Sequence, residues 1–430
     1  MNYQETTEYL FNSTPVFEHI GASAYKEGLD NTYALDEYFG HPHTNFRSIH
    51  IGGTNGKGSC SHTLAAILQA DGYKVGLYTS PHLVDFRERI RINGEMVPEQ
   101  YVIDFVEEHK DFFEPLHPSF FELTTAMAFK YFAEQKVDFA IIEVGLGGRL
   151  DCTNIIHPLL SIITNISLDH TQFLGDTLPK IAFEKAGIIK QGTPVIIGEA
   201  NDETRIVFEA KAQEMESLII FAEDIPMVLS ASMSSDGGLY YKTRLFGELQ
   251  GELGGLYQIK NTNTILTALS HLHNSHIIKN IESIVKGFSN VCESTGLLGR
   301  WQKIQTNPMV ICDTGHNEAG WMCLSQQIRR QKCKNLRIVF GMVDDKDIEG
   351  VMALLPKDGE YYWTQPSTKR AYHVDKVAAT GKKFGLHGEC FTNVGEAYNK
   401  ALDDANKEDF VFVGGSSYIV ADFLNLLQCN

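Results

Sequence analysis

SIHIGGTNGKGSC, residues 48–60, runs from an apolar, β-like stretch through a glycine-rich turn into a helical pattern. The common phosphate loop reads G-x-x-x-x-G-K-[ST], with the hydroxyl residue directly after the lysine. Here Gly58 stands between Lys57 and Ser59. Backbone N–H groups of such a turn, at the start of a helix, make an anion site that the helix dipole strengthens. Gly52, Gly53, Gly56 and Gly58 would let the main chain approach phosphates closely. Lys57 adds a point charge, and Ser59 offers a hydroxyl to Mg²⁺. The plain alternative is a strand-to-helix turn that happens to hold glycines.

Outward from this stretch the pattern repeats. RSIHIGG, KVGLYT, DFAIIEVG, PLLSIITNI and TPVIIGE are short, rich in Ile and Val, and bounded by Gly, Asp or Pro, as buried strands are. Helical patterns at 58–71, 99–112, 120–135 and 178–189 separate most of them. This βαβ rhythm predicts a mainly parallel sheet covered on both faces. From about 218 to 256 the pattern reads as hairpins or irregular chain, and helices follow at 257–272 and near 281–290. CESTGLLGRWQKI (292–304) breaks the helical period with two glycine turns and reads as a linker region. Alternation restarts with PMVICDTG, LRIVFGM, EYYWTQ and DFVFVGGS. The expected fold is α/β: a phosphate-loop domain with a mainly parallel sheet over 1–295, and a smaller Rossmann-like α/β domain over 296–430.

Bulk properties narrow the class. A chain of 430 residues suggests two or three domains, and 43% apolar with 10% aromatic residues is a globular composition. The start, MNYQETTEYLF, shows no basic segment leading into an apolar one, so no signal peptide is expected. No apolar run approaches the roughly 20 residues that span a bilayer. Eight cysteines lie scattered without a C-x-x-C pair, which reads as reduced thiols in a cytoplasm. A net charge of −17 argues against a nucleic-acid partner. An anionic substrate would then need local arginines and metal. FRERIRING (86–94) concentrates Arg87, Arg89 and Arg91; composition favours a solvated hairpin edge. Glu143 ends a buried-strand pattern at the carboxyl edge, where α/β proteins bind ligands. It is a candidate Mg²⁺ ligand, or a partly exposed strand-end glutamate.

Six motifs then occur in order: TNGKGS (54–59), TSPHL (79–83), FRERIRING (86–94), EVGLGGRLDCTN (143–154), SLDHTQFLG (167–175) and EKAGIIK (184–190). Together they resemble folylpolyglutamate synthase and dihydrofolate synthase, ATP-dependent amide ligases related to the Mur peptide ligases. LGRWQ (298–302) and DTGHN (313–317) extend the match into the second domain. The resemblance implies that Thr54, Asn55, Gly56, Lys57, Gly58 and Ser59 hold ATP, with Asn261, Arg300, Asp313 and His316. It implies one Mg²⁺ on Ser59 and Glu143, and a second on Ser80, His170 and Glu143. It adds Lys185, as a carbamylated lysine, to a catalytic set with Lys57, Glu143 and His170. It places the acceptor against Ser119, Phe121, Asp151 and Cys152, and assigns substrate contacts to Arg87 and Ser417. From the residues alone, His170 would be a helix-capping or core histidine, Lys185 a solvated helix lysine, and Phe121 and Cys152 core residues. Tyr257 stands where the family has His, and Thr314, Gly315 and Glu318 depart from its D-G-A-H-N-P pattern.

The implied reaction joins L-glutamate to dihydropteroate, or to the γ-carboxylate of a reduced folate. ATP is split to ADP and phosphate through an acyl phosphate. The expected partners are these small molecules, with no nucleic acid or membrane, and the chain is expected to be a monomer. A phosphate-loop kinase or nucleotide switch would leave TSPHL, SLDHTQFLG and the second α/β domain without a role. A Mur-type ligase of a cell-wall precursor would usually carry a further N-terminal domain, for which the residues before 52 leave no room. A binding module without chemistry fits poorly with Lys57, Ser59, Glu143 and His170 all being present.

Overall fold

The run around Ile49 is the middle of a sheet. Its strand, β1 (Arg47–Gly52), is buried from Ser48 onward. The computed structural model describes residues 1–13, 28–234 and 237–428. The chain divides into two units: the larger reaches Leu297, apart from short stretches that include Leu253–Tyr257, and the smaller takes those stretches and Leu298 onward.

Seven more strands complete the sheet of the larger unit. They are β2 (Val75–Tyr78), β3 (Ile90–Ile92), β4 (Glu95–Met96), β5 (Phe139–Glu143), β6 (Leu160–Ile163), β7 (Val195–Ile197) and β8 (Ile219–Phe221). Their order is β4-β3-β2-β5-β1-β6-β7-β8. From β2 to β8 the pairing is parallel, and the β3–β4 hairpin closes one edge antiparallel. All five apolar runs of the sequence are strands of this sheet, and helices form at Lys57–Ala70, Glu99–Phe113, Phe120–Glu134 and Leu178–Ala186. The strands are continuously apolar because both faces are covered. Phe139 and Ile141 join a cluster with Leu64, Ile67 and Leu68, while Ala140 and Ile142 join Phe129 and Phe132 on the other face. Each such aliphatic or aromatic side chain is worth roughly 1.5–3 kcal/mol on burial.

Two expectations fail here. The stretch from 218 is not all hairpin, since Ile219–Phe221 follows the Asp202–Glu214 helix as one more parallel edge strand. Only after it does a separate antiparallel sheet form, from β9 (Val228–Met233), β10 (Leu239–Thr243) and β11 (Glu248–Gly251). Nor is FRERIRING solvated, because Arg89 and Arg91 are only 2% and 8% exposed. Arg89 donates from Nε to His82 Nδ1 at 2.8 Å and lies over the Phe120 ring. Arg91 donates to the Gly94 carbonyl at 2.9 Å. Their aliphatic stems are covered while each head keeps an acceptor.

The smaller unit has a six-stranded sheet built from β12 (Gln302–Thr306), β13 (Met309–Asp313), β14 (Leu336–Phe340), β15 (Glu360–Trp363), β16 (Gly388–Cys390) and β17 (Phe410–Gly414). The order is β12-β13-β17-β14-β15-β16, parallel except for β12. The end of the supposed linker is therefore strand. Its residues are only half-buried at an edge, so no clear apolar run marks it. Among the described residues no helix is long and apolar enough to cross a membrane.

Candidate active site

The parallel strands of the larger unit end along one edge, so the loops after β1, β5 and β6 are neighbours. After β1 the chain passes through Gly53, at φ 137°, and Gly56, left-handed at φ 85°, into the Lys57–Ala70 helix. A Cβ on Gly53 would lie 1.9 Å from Thr164 Oγ1, and one on Gly56 would lie 2.2 Å from Asn261 Oδ1. Only glycine fits at either place.

Residues 164–167, just past β6, clasp this loop. Asn165 accepts the Thr54 amide on its carbonyl and the Asn55 amide on Oδ1, both at 2.9 Å. The Thr164 hydroxyl donates to the Asn55 carbonyl at 2.6 Å, and the Ser167 amide donates to Thr54 Oγ1 at 3.1 Å. The Thr54 and Asn55 amides thus serve the clasp. The amides of the helix's first turn, from Lys57 to Ser59, have no intrahelical acceptor by position and face outward for an anion. Lys57 Nζ donates to the Thr54 carbonyl at 3.1 Å. Ser59 is buried and accepts from Gln258 Nε2 at 3.1 Å; Gln258 in turn accepts from Asn261 Nδ2 at 2.8 Å. That pair fixes the Ser59 rotamer and leaves its hydroxyl proton and a lone pair for other partners.

Glu143 ends β5 opposite Ile51 of β1. It is 3% exposed, on the strand face it shares with Phe139 and Ile141, toward the phosphate-loop helix. The partly exposed strand-end glutamate is therefore ruled out. Burial, and then the Glu143 charge, push the Cys60 thiol of that helix well up. Glu143 accepts the Ser80 amide at 3.3 Å. His170 is left-handed at φ 49°, its amide donates to Asp169 Oδ1 at 2.9 Å, and its Nε2 lies 3.9 Å from the same oxygen. It precedes the short Thr171–Leu174 helix. Among the described residues no three His, Cys, Asp or Glu side chains converge as a metal cage. Two serine hydroxyls, one carboxylate and an imidazole are too few for an all-protein site. They suit Mg²⁺ that brings phosphate and water ligands with it.

Lys185 is not the solvated helix lysine of the residue-level reading. It is 4% exposed, and its Nζ donates to the Gly53 carbonyl at 2.8 Å. Burial, helped by the nearby charge of Lys57, lowers its pKa to about 7 against the pull of Asp169 and Asp151.

The proposed acceptor residues gather around the start of the Phe120–Glu134 helix. Ser119 caps it, accepting the Glu122 amide at 3.2 Å while Glu122 accepts the Ser119 amide at 2.5 Å. The half-buried Phe121 ring lies against the backbone at Gly145 and 5.8 Å from the Tyr78 ring. Asp151, 4% exposed, already takes the Thr153 amide at 3.0 Å and the Thr153 hydroxyl at 2.5 Å on Oδ1, and the Leu146 amide at 2.8 Å on Oδ2. Burial raises its pKa while those donors oppose the rise. Cys152 beside it is pushed well up, by burial first and then by Asp151. Arg87 grips Asp85 through Nε and Nη2 at 3.0 and 2.8 Å and lies 3.3 Å from Glu99. Burial works against the Asp85 charge, yet the hydrogen bonds from Arg87 and Tyr3 hold its pKa at about 2.

In the smaller unit, Asp313 ends β13 and is buried. Its Oδ2 accepts the Tyr257 hydroxyl at 2.6 Å and the Trp301 amide at 2.7 Å, and its Oδ1 accepts the Gly315 amide at 2.8 Å. Burial raises both the Asp313 carboxyl and the Tyr257 hydroxyl. Arg300 donates to the Gly299 carbonyl at 3.2 Å and to the Thr314 hydroxyl. His316 Nδ1 lies 3.1 Å from the Thr314 carbonyl. Ser417 opens the Ser417–Gln428 helix behind Gly415, which is at φ 110°. Sequence reasoning missed the clasp of Thr164, Asn165 and Ser167. The signal available was a polar TNIS run directly after an apolar strand at the ligand edge.

Comparison with known proteins shows what the whole chain is similar to. The Mur ligase middle domain matches residues 51–269, and the Mur ligase glutamate ligase domain matches residues 299–417. A dihydrofolate synthase/folylpolyglutamate synthase of Bacillus subtilis (strain 168) is 34% identical over 347 residues, covering 77% of this chain and 79% of that protein. E. coli FolC, solved in complex with DHPP and ADP, superposes with a TM-score of 0.84 at 30% identity, over 100% of this chain and 98% of that one. The bifunctional folylpolyglutamate synthase/dihydrofolate synthase of Yersinia pestis, complexed with AMPPNP and Mn ion, gives 0.81 at 29% identity, over 100% and 98%.

Proposed function

Because the chain belongs to the dihydrofolate synthase/folylpolyglutamate synthase family of Mur-type ligases, enzymes that use ATP to ligate glutamate to folates, we propose that it carries both activities of that family. It joins L-glutamate to dihydropteroate and extends reduced folates at the γ-carboxylate. The observation that carries this reading is the convergence on one loop of Lys57, the buried Lys185 and the strand-end Glu143, with Ser59 held in place by Gln258.

The chain's own groups suggest the course of the reaction. The first-turn amides and Lys57 hold the β- and γ-phosphates, while the acceptor carboxylate attacks the γ-phosphorus to give an acyl phosphate and ADP. The glutamate amino group then attacks the activated carbonyl, and phosphate leaves. Such phosphoryl transfer needs positioning and charge stabilisation, with no nucleophilic side chain. Ser59 with Glu143 would hold one Mg²⁺, and Ser80, Glu143 and His170 a second. When bound, these ions offset the repulsion between carboxylate and triphosphate. Lys185, part neutral at neutral pH, has the free amine that carbamylation requires, adding CO₂ with loss of a proton. Asn261, Arg300, Asp313 and His316 are assigned to the nucleotide, and Ser119, Phe121, Asp151 and Cys152 to the acceptor. Arg87 and Ser417 are assigned to substrate. Residues 1–295 carry nucleotide and acceptor, and 296–430 form the glutamate-ligase domain. The enzyme acts as a cytoplasmic monomer.

The test is ADP release from Mg-ATP and L-glutamate with dihydropteroate or tetrahydrofolate as acceptor. Turnover is expected on both, and Lys57→Ala or Glu143→Ala should abolish it. Turnover on tetrahydrofolate alone would reduce the enzyme to chain extension. Silence with both acceptors would refute the reading.

A further inference from the structure

The central strand carries one imidazole into its buried interior. His50 of β1 is fully buried, level with Ile142 of β5 and Ser161 of β6. Its Nε2 lies 2.8 Å from Thr153 Oγ1, which lies 2.5 Å from Asp151 Oδ1. All three side chains are buried, and among the described residues His50 Nδ1 has no hydrogen-bond partner.

This geometry fixes the protons. The Thr153 hydroxyl has one proton, and it goes to the carboxylate; its oxygen then accepts from His50 Nε2–H. Nδ1 is left as a bare acceptor. The opposite tautomer would strand a buried N–H donor, which is rarer and costlier than an under-used acceptor. Burial, and then Lys190, drive the His50 pKa down to about 3, so the ring stays neutral. The other oxygen of Asp151 takes the Leu146 amide. The carboxylate therefore pins the loop that leaves Glu143, passes beneath Phe121 at Gly145 and returns at Asp151.

We propose that His50, acting through Thr153, is a positioning residue for the acceptor site. The relay His50–Thr153–Asp151 holds the carboxylate and its loop in the geometry that receives the pterin-type acceptor. It does so from the strand that also delivers the phosphate loop. The inference rests on the reading that Asp151 and Phe121 line the acceptor pocket. Thr153 alone does not suffice, because without the Nε2–H donor its hydroxyl is held from one side only.

The experiment compares KM for tetrahydrofolate and KM for ATP in Thr153→Val, Thr153→Ser, His50→Leu, His50→Gln and Asp151→Asn. Thr153→Val and His50→Leu should raise the acceptor KM roughly tenfold to a hundredfold, the scale of one hydrogen bond in a chain ending on a charge, with the ATP KM unchanged. Thr153→Ser restores the hydroxyl, and the side-chain amide of His50→Gln can donate from nearly the place of Nε2. Both should stay within about threefold of the parent, as their hydrogen bonds are kept. If acceptor and ATP KM rise together, or if Ser and Gln rescue nothing, the residue is only structural and the proposal falls. Should His50→Leu not fold, Thr153→Val, which is close to threonine in volume, carries the test. An unchanged acceptor KM in Asp151→Asn would defeat the pocket reading and the relay with it. A raised KM there beside an unchanged Thr153→Val would defeat the relay alone.

Discussion

Replacing Lys185 with methionine should remove a pH dependence of stability that this one amine imposes. Burial first, and then repulsion from Lys57, lower its pKa from 10.5 to about 7 in the folded protein. In the unfolded chain it titrates near 10.5. Between those values the unfolded state holds one more proton than the folded state, so stability rises with pH. This is the reverse of a lysine that gains an ion-pair partner. At pH 7 the folded group is half protonated and the slope is about half its maximum. By pH 9 it is neutral and the slope approaches 1.4 kcal/mol per unit, so the gain from pH 7 to 9 is about 2 kcal/mol.

Methionine fills a similar space without a charge, so its curve lacks this contribution, and every other titrating group cancels in the difference. The assay is urea unfolding of both proteins at pH 7 and pH 9, in buffer purged of carbon dioxide so that no carbamate forms. The stability of the parent relative to Lys185→Met should improve by about 2 kcal/mol over that range. Parallel profiles would refute the reasoning, because they would mean that Asp169 and Asp151 keep the ammonium charged. When ¹³C-bicarbonate is supplied, a carbamate signal should appear on the parent and not on the variant.

Gly53→Ala would place a methyl 1.9 Å from Thr164 Oγ1 at a φ of 137°, forcing the clasp apart. Affinity for ADP, by calorimetric titration, should fall at least tenfold, on the order of the strain of such a backbone, and unchanged binding would show that the loop adapts. Tyr257→Phe removes one of three donors to the buried Asp313 and should cost about 1–3 kcal/mol in urea unfolding. A loss below a few tenths of that would mean that the Trp301 and Gly315 amides satisfy the carboxylate by themselves.

The strands were legible because their burial on both faces left continuous Ile- and Val-rich runs, and the phosphate loop because its glycines and lysine are local. Glu143 could be placed for the same reason: a strand pattern gives its end, and the end of a parallel strand gives an edge. What the chain does with charges at long range was not legible. Lys185, Arg89 and Arg91 look alike in sequence to solvated residues. Lys185 meets the Gly53 carbonyl 132 residues back in the chain. Arg89 and Arg91, though their acceptors His82 and Gly94 are close in sequence, are buried by packing such as that of Arg89 over the Phe120 ring. His50 was hidden differently. Within a strand pattern a histidine reads as a gap in the apolar run, and its meaning comes from Thr153, 103 residues away.

The inserted Gly58 acquires a reason in the same way. In a helix, moving a side chain by one position turns it about 100° around the axis. With the hydroxyl residue directly after Lys57, its oxygen would point away from the Gln258–Asn274 helix. Displaced to position 59, it meets Gln258 Nε2, 199 residues further along the chain. Gln258 is itself held by Asn261, and Asn261 packs so close to Gly56 that no side chain fits there. The spacing of the loop and the Gln258–Asn261 pair are therefore two halves of one constraint. Restoring the common spacing by deleting Gly58 would separate Ser59 from Gln258 while leaving every loop residue type in place.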